Sequence, residues 1–140
     1  SDDRNGVDLG WEVSGNWKES TRKDWTTGGD ITTLNSDEKN ASISFTFTGT
    51  GVVLIGDWTQ DGGKADVYID GNMHRKIDAY YWWANEGKEG SFLWHILGLE
   101  PGEHTVKLVV LDEKKDEATG SNIYVTGAAV FTSIDKGIVL

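Results

Sequence analysis

Apolar and polar residues alternate in short runs along this chain, and this pattern predicts an all-β fold. In the run 42–47, Ile43, Phe45 and Phe47 occupy every second position, so they would share the buried face of one strand. Residues 52–55 are apolar throughout, as in a strand of a sandwich core. Strands are predicted at 9–13, 31–34, 42–47, 52–55, 65–69, 92–97, 106–110, 123–125 and 128–131. The last two segments are interpreted as one strand interrupted by a bulge at Gly127.

Turn-forming residues separate these runs at regular intervals. The dipeptide Asp70–Gly71 is typical of a tight hairpin, because such a turn requires positive φ and glycine accepts it readily. Loops are predicted at 48–51, 56–63, 99–103 and 112–122, and only 112–118 has the composition of a helical turn. Short strands joined by frequent turns indicate an antiparallel β-sandwich, a jelly roll, formed by a single domain over residues 1–140.

Three segments together resemble a known family of β-sandwiches. They read FTFTGTGVVLIG at 45–56, DGGKADVYIDG at 61–71 and LGLEPGEHTVKLVV at 97–110. Their order and spacing resemble the galactose-binding-domain-like β-sandwich, which occurs in carbohydrate-binding modules of bacterial glycoside hydrolases and esterases. The resemblance implies a jelly-roll module that binds glycans through loops at one end of the sandwich. It also implies the possibility of a structural calcium ion away from the glycan site, as many such modules have.

The charge of the chain narrows the classes of partner. The 140 residues include 23 acidic and 13 basic ones, giving a net charge of −10. This balance disfavours nucleic acids and anionic membrane surfaces, since both are bound by basic patches. No apolar run is long enough to span a membrane, and no signal peptide is visible at Ser1. We expect an extracellular or periplasmic domain, excised from a larger multidomain enzyme.

Four consecutive aromatic residues, Tyr80, Tyr81, Trp82 and Trp83, form the most informative segment of the chain. Successive side chains of a strand point to opposite faces, so about half of these rings would enter the core. A ring that faces outward offers an apolar surface with a polar edge, which suits a sugar, a peptide or another protein. The alternative is that Trp82 and one tyrosine close the end of the sandwich as core residues.

The predicted loop at 56–63 supplies the polar groups that sugar recognition requires. A sugar needs a flat ring beneath its C–H face, together with carboxylates or amides for its hydroxyls. The predicted ligand-binding residues are Trp58, Asp57, Gln60, Asp61, Tyr81, Trp83 and Asn85. The sequence therefore predicts one site, formed where this loop meets the aromatic cluster.

Other aromatic residues and the histidine at 104 are expected to be structural. Trp11, Trp17 and Trp25 lie among polar, turn-forming residues, and we expect them to pack the N-terminal segment onto a sheet. Trp94 lies in an apolar run and is expected in the core. His104 begins a predicted strand with no nucleophile nearby in the sequence, so we expect its ring to bind backbone or pack under a loop.

A structural calcium ion is the one candidate cofactor. Calcium prefers carboxylate and carbonyl oxygens, and polar loops contain Asp2, Asp3, Asp8, Asp24, Asp30 and Asp37. None of these forms an EF-hand spacing, so the sequence does not assign the ligands. The chain also has no cysteine and no serine-hydrolase, zinc-protease or phosphate-loop motif, so we expect no catalytic activity.

The sequence predicts a non-catalytic carbohydrate-binding module that holds an attached glycan-degrading enzyme on polysaccharide. Plant cell-wall polymers, pectin among them, are the candidate targets. The expected partners are a polysaccharide or oligosaccharide and the catalytic domain of the same polypeptide. The alternative is a structural domain that packs against neighbouring domains of a glycoside hydrolase without binding sugar, because exposed aromatic patches also mark protein interfaces.

Overall fold

Two antiparallel β-sheets make up the fold. The computed structural model describes residues 10–23, 27–82 and 88–132, with the backbone alone for Arg22 and for 88–91. Its strands are β1 (Glu12–Ser14), β2 (Lys18–Lys23), β3 (Asp30–Ser36), β4 (Ser42–Gly49), β5 (Gly51–Trp58), β6 (Lys64–Ile69), β7 (Asn72–Asp78), β8 (Lys88–Ile96), β9 (Gly102–Val110) and β10 (Ile123–Phe131). One sheet has the order β1-β4-β9-β6-β7 and the other β2-β3-β10-β5-β8. The predicted antiparallel β-sandwich is confirmed.

Alternating residues of both sheets form one core between them. In β6 the buried residues are Ala65, Val67 and Ile69, and their neighbours along the strand are half-buried. The residues predicted to face inward in β4 and β9 are buried as well: Ile43, Phe45, Phe47, Val106, Leu108 and Val110. The opposite sheet contributes Val52, Leu54, Trp94, Ile123, Val125 and Ala128 to the same cluster. The alternation seen in the sequence therefore marks the buried faces correctly.

Strand β5 is longer than the sequence predicts. Residues 56–58, predicted as the start of a loop, continue the strand to Trp58. Gly56 pairs with Val125 of β10 on one side and with Ser91 of β8 on the other. A side chain at this position would collide with the carbonyl oxygen of Tyr124. The glycine thus permits the close approach of the β10 backbone to a central strand. In the sequence alone, a glycine with this role cannot be told from a glycine in a turn.

Two strands that the sequence does not predict lie at sheet edges. Strand β2 has the sequence KESTRK, and among the described strands it pairs with β3 alone, as β7 does with β6. Because an edge strand has neighbours on one side only, polar and charged residues on it discourage pairing with other molecules. In β7 only Ile77 is buried, so neither strand shows the alternation that marks a buried face.

A bulge in β8 determines which of its aromatic residues is buried. Trp94 pairs with Leu54 and Phe92 pairs with Ile55, so Leu93 is the extra residue. Leu93 and Trp94 are both buried, and Phe92 is 64% exposed. The Trp94 indole donates from Nε1 to His74 Nδ1 at 2.9 Å. The prediction that Trp94 belongs to the core is confirmed.

Two predicted turns and the predicted bulge are borne out. Asp70 and Gly71 join β6 to β7 with φ of 52° and 84°. The pairing of β10 with β5 shifts register between Val125 and Gly127, which confirms the predicted bulge. The stretch 112–118 contains a single turn, in which the Ala118 N–H donates to the carbonyl oxygen of Lys115 at 3.0 Å.

Candidate functional site

Several connecting segments meet at one end of the sandwich, which we call the loop end. They comprise residues 15–17, 37–41, 59–63, 79–82 and 111–122. Backbone hydrogen bonds hold three of them together: Gly63 N–H donates to the Asn122 carbonyl at 2.8 Å, and Ala79 N–H donates to the Gly63 carbonyl at 2.9 Å. The antiparallel topology places the starts or ends of strands from both sheets here.

The loop 59–63 and the aromatic segment lie side by side at the loop end. Thr59 and Tyr80 form a parallel bridge, and Thr59 accepts a hydrogen bond from Tyr81 N–H at 2.8 Å. The Gln60 carboxamide donates from Nε2 to the carbonyl oxygen of Trp82 at 3.1 Å. These bonds fix the backbone that carries the Tyr81 and Trp82 rings. The structure thus brings together Gln60, Asp61 and Tyr81 of the predicted site, whereas Trp83 and Asn85 lie outside the described residues.

The rings of this segment differ in exposure. Trp82 is 62% exposed, and its ring centroid lies 6.2 Å from that of the half-buried Tyr81, with the planes tilted by 39°. Tyr80 is also half-buried, and the Lys115 ammonium lies 5.6 Å from the centre of its ring. The alternative role considered for Trp82, closing the sandwich end as a core residue, is wrong. Its indole faces solvent, and the Gln60 side chain binds its backbone.

Asp61 binds other residues of the protein with both carboxylate oxygens. Oδ1 accepts from the Thr59 hydroxyl at 2.6 Å, and Oδ2 accepts from the Tyr124 hydroxyl at 2.7 Å and the Asn122 carboxamide at 3.3 Å. Asn122 in turn accepts from the Asn35 Nδ2 at 3.0 Å. Asp61 therefore joins the loop 59–63 to β10 and β3, and it orients the amides around it.

Trp58 and Asp57, at the end of β5, are less accessible than the loop that follows. Trp58 is half-buried and packs against the core, and Asp57 is only 5% exposed. Asp57 pairs across the sheet with Tyr124. Burial, the hydrogen bond to Asp61 and the negative charges of Asp61, Asp57 and Asp37 raise the pKa of Tyr124. The Tyr124 hydroxyl therefore stays protonated and donates to Asp61.

A cleft of about 490 Å³ opens on the other side of Asn122, and we call it the Trp17 cleft. Its charged lining residues are Asp37, Glu38 and Lys18, and the others are Trp17, Asn16, Asn35, Asn122 and Ser36. The Trp17 indole donates from Nε1 to the Ser14 carbonyl at 3.0 Å and packs partly against the core. Glu38 accepts from the Asn16 N–H at 2.8 Å. The packing role predicted for Trp17 is confirmed, and its ring also lines a cleft.

Three residues of this region were not singled out from the sequence: Asn35, Asn122 and Tyr124. Their side chains meet through pairing of β3 and β10, in which Tyr124 lies opposite Asn35. Residues 87 positions apart in the chain form the Asn35–Asn122 bond, so no local pattern could indicate it. Trp25, the third N-terminal tryptophan, lies outside the described residues. Trp11 does pack as predicted, with its ring centroid 4.6 Å from that of Phe45.

The structure also bears on metals, membranes and histidines. In the part of the chain that is described, no group of three or more His, Asp or Glu side chains is arranged to hold a metal ion. Asp30 forms an ion pair with Lys23 at 2.9 Å, whereas Asp2, Asp3, Asp8 and Asp24 lie outside the described residues, so calcium stays a prediction.

Among the described residues, no helix has the length and apolar character needed to cross a membrane. None of the chain's histidines lines the Trp17 cleft.

Comparison with known proteins finds relatives among enzymes that act on carbohydrates. No family model matches the chain. Over 95 residues, or 68% of the chain, it is 36% identical to the A type blood alpha-D-galactosamine galactosaminidase of Flavonifractor plautii. Over 115 residues, or 82% of the chain, it is 28% identical to the A type blood N-acetyl-alpha-D-galactosamine deacetylase of the same organism. The chain spans only 8% and 14% of these proteins, so it corresponds to a small part of each.

Similar folds occur in other enzymes of carbohydrate metabolism. A two-domain esterase active on acetylated mannans matches 90% of this chain with a TM-score of 0.65 and 17% identity, over 34% of its own length. The xanthan lyase of Paenibacillus matches 89% with a TM-score of 0.58 and 12% identity, over 12% of its length. A family two carbohydrate esterase of Clostridium thermocellum matches 90% with a TM-score of 0.53 and 19% identity, over 32% of its length. The resemblance to sandwich domains of carbohydrate-active enzymes is confirmed at the level of the fold.

Proposed function

We propose that this chain is a non-catalytic carbohydrate-binding domain that holds an attached glycan-degrading enzyme on its polysaccharide. The observation that carries the proposal is the exposed Trp82 indole at the loop end, which lies next to the Tyr81 ring on a backbone that Gln60 binds through the Trp82 carbonyl oxygen. An exposed indole offers a flat apolar face to a sugar, and a backbone already held by hydrogen bonds limits the conformational freedom lost on binding. Gln60 supplies a carboxamide next to it for hydroxyl groups.

The predicted site residues take different roles in this proposal. Tyr81 and Trp82 stack on the sugar, and Trp83 and Asn85 remain predicted contacts. Three other residues support the site without contacting the sugar. Asp57 is buried, and Trp58 packs on the core. Asp61 binds Thr59, Asn122 and Tyr124. Gln60 links the two groups.

The comparisons support an accessory role within a larger enzyme. The chain matches a small part of two enzymes, one named a galactosaminidase and the other a deacetylase. It also matches part of three enzymes that contain a domain of the same fold. Such a domain raises the local concentration of its enzyme at the substrate. A low affinity at the single site is sufficient, because the domain and the catalytic domain are linked and bind the same polysaccharide together. We propose an extracellular or periplasmic location, where polysaccharides are degraded. The catalytic domain of the same polypeptide is the proposed partner.

Affinity gel electrophoresis of the 140-residue chain tests the proposal. The panel should contain xylan, mannan, β-glucan, pectin and glycans that contain hexosamine, because the two sequence relatives are named for such sugars. We expect at least one polysaccharide to retard the chain, and we expect Trp82→Ala to weaken that binding by about tenfold or more, as for a central aromatic contact. Phe92→Ala is the matched control, since Phe92 is 64% exposed but lies in β8 opposite Ile55.

The result that overturns the proposal is equally definite. If no polysaccharide retards the chain, or if Trp82→Ala binds as well as Phe92→Ala, the loop end is not a glycan site. The alternative, a domain that packs against its neighbours through exposed rings, would then be preferred. Phe92 and Leu97, exposed by 64% and 60%, give that alternative a surface of its own on and just after β8.

A further inference from the structure

The Trp17 cleft has the chemistry of a second sugar subsite, distinct from the exposed Trp82 ring. We propose that it binds a saccharide unit that carries an ammonium group, namely an unacetylated hexosamine. This inference rests on the proposed function, because it assumes a domain that binds glycans. To the proposed function it adds where one sugar unit binds, namely the Trp17 cleft, and that this unit carries a positive charge.

The shape of the cleft suits a sugar unit. Its volume of about 490 Å³ is typical of small-molecule sites, which span roughly 300–1,000 Å³. The Trp17 ring on its wall is held by the Nε1 bond to Ser14 and by packing on the core. The polar edge of the indole is therefore already satisfied, and the ring face is what remains for the C–H face of a sugar.

Carboxamides around the cleft are oriented to bind hydroxyl groups. Asn35 donates from Nδ2 to Asn122 Oδ1, and Asn122 donates from Nδ2 to Asp61 Oδ2. These bonds leave the Asn35 Oδ1 as an acceptor with a fixed direction. Asn16, at the start of the lining segment, is anchored through its N–H to Glu38. The cleft therefore presents the Asn35 Oδ1 as a directed acceptor for a sugar hydroxyl.

The charge of the cleft selects for a cation. Asp37 and Glu38 line it, and of the lining residues only Lys18 carries a positive charge. Asp61 lies behind the lining residue Asn122, whose carboxamide it binds. An ammonium group would be attracted to this surface, and a uronate would be repelled. An acetamido group, being neutral, would gain nothing from the charges.

NMR titration of the 140-residue chain tests the assignment. The probes are glucosamine and galactosamine, each with its N-acetyl counterpart, and galacturonate, at a pH where the amines are protonated. We expect at least one amine to bind more tightly than its N-acetyl form and to shift the Trp17 indole and the Asn35 and Asn122 side-chain resonances. Galacturonate should bind most weakly.

Charge variants identify the residues responsible. Asp37→Asn should weaken binding of the amine by about two- to fivefold, the range for one exposed ion pair, and leave the N-acetyl sugar unchanged. Glu103→Gln, which removes the same charge from the start of β9 at the opposite end, is the control and should have no effect. Two exposed carboxylate-to-amide changes of this kind are expected to leave the fold intact.

Three outcomes would overturn the inference. One is equal affinity for both amines and their N-acetyl forms, another is an Asp37→Asn variant that behaves like Glu103→Gln, and the third is spermine binding with the same affinity and the same dependence on Asp37. In each case Trp82-dependent retardation by a polysaccharide would still stand if the proposed function is right. Loss of both kinds of binding would count against the proposed function itself.

Discussion

The imidazole Nδ1 of His104 lies 2.6 Å from Oδ2 of Asp70, at the end of the sandwich opposite the loop end. The other ring nitrogen lies 2.7 Å from the carbonyl oxygen of Glu100, so a protonated ring donates to an acceptor on each side. Asp70 also accepts from the Thr105 N–H at 2.9 Å. This arrangement ties the β6–β7 hairpin to β9, and the structural role predicted for His104 is confirmed.

This ion pair predicts a dependence of stability on pH. The hydrogen bonds to Asp70 and to the Glu100 carbonyl raise the pKa of His104 above its usual 6.5, and those from His104 and Thr105 lower the pKa of Asp70 below 3.8. The His104 contribution is complete below pH 6.5 and is lost as the pH rises through the raised pKa. The Asp70 contribution is complete above pH 3.8 and is lost as the pH falls through the lowered pKa. Thermal unfolding should therefore show a melting temperature that declines from pH 6 toward pH 9.

His104→Gln and His95→Gln separate the ion pair from other titrating groups. The decline above pH 6.5 should become shallower in His104→Gln, because the glutamine stays neutral. It should be unchanged in His95→Gln, since His95 is an exposed residue of β8. Equal slopes in both variants would mean that the His104–Asp70 pair does not contribute to folding stability.

The sandwich core predicts a clear difference between two leucines. Leu54 is fully buried between the sheets, and Leu97, just after β8, is 60% exposed. Leu54→Ala should lower the free energy of unfolding by about 2–5 kcal/mol because it leaves a cavity. Leu97→Ala should change it by no more than about 0.5 kcal/mol. Urea unfolding of both variants measures this, and a loss of similar size at the two positions would contradict the assignment of the core.

The sequence pattern predicts the central strands well and the edges poorly. Strands such as β4, β6 and β9 alternate because one face is buried, and that burial is what periodicity detects. In strand β2 the side chains of 18–21 and of Lys23 are exposed. The strand is held by pairing with β3, which leaves no mark on its own residues. Gly56 shows the same limit of prediction from sequence, because a glycine required for close packing inside a strand looks the same as a glycine required for a turn.

The candidate site is predictable only where its parts are local. The aromatic segment and the loop 59–63 stand out by composition, and the structure places them side by side. The Trp17 cleft depends on β3 and β10 lying next to each other, so residues far apart such as Asn35 and Asn122 meet only in the folded chain. The hydrogen bonds of Asp61 within the protein could not be predicted either, because its partner Tyr124 lies far away in the sequence, in strand β10.

The hydrogen bond between Tyr124 and Asp61 predicts a stability effect at the loop end. Tyr124→Phe removes the donor 2.7 Å from Asp61 Oδ2, and that carboxylate oxygen keeps the Asn122 amide at 3.3 Å as its partner. We expect a loss of about 1.5–3 kcal/mol in the free energy of unfolding, as for hydrogen bonds to charged groups.

Tyr68→Phe is the matched control for this change. Tyr68 is a half-buried tyrosine of β6, and its loss of a hydroxyl should cost no more than about 0.5 kcal/mol. Chemical denaturation of both variants compares the two hydroxyls directly. If Tyr124→Phe proves as stable as Tyr68→Phe, Asp61 does not organise the loop end, and a direct ligand contact becomes the better role for its carboxylate.

Gly62 sets how closely the loop 59–63 approaches the aromatic segment. A Cβ here would collide with the carbonyl group of Ala79 and lie 3.0 Å from the carbonyl oxygen of Thr59, and these are backbone atoms that cannot rotate away. Gly62→Ala should therefore push the loop from Ala79, cost about 1–3 kcal/mol of stability and weaken polysaccharide binding through Tyr81 and Trp82. Gly29→Ala is the control, because its nearest neighbour would be the Thr27 hydroxyl at an ordinary 3.5 Å. Melting temperatures and affinity gels report both effects, and a Gly62→Ala variant that matches Gly29→Ala in both would show that the aromatic segment is positioned independently of this loop.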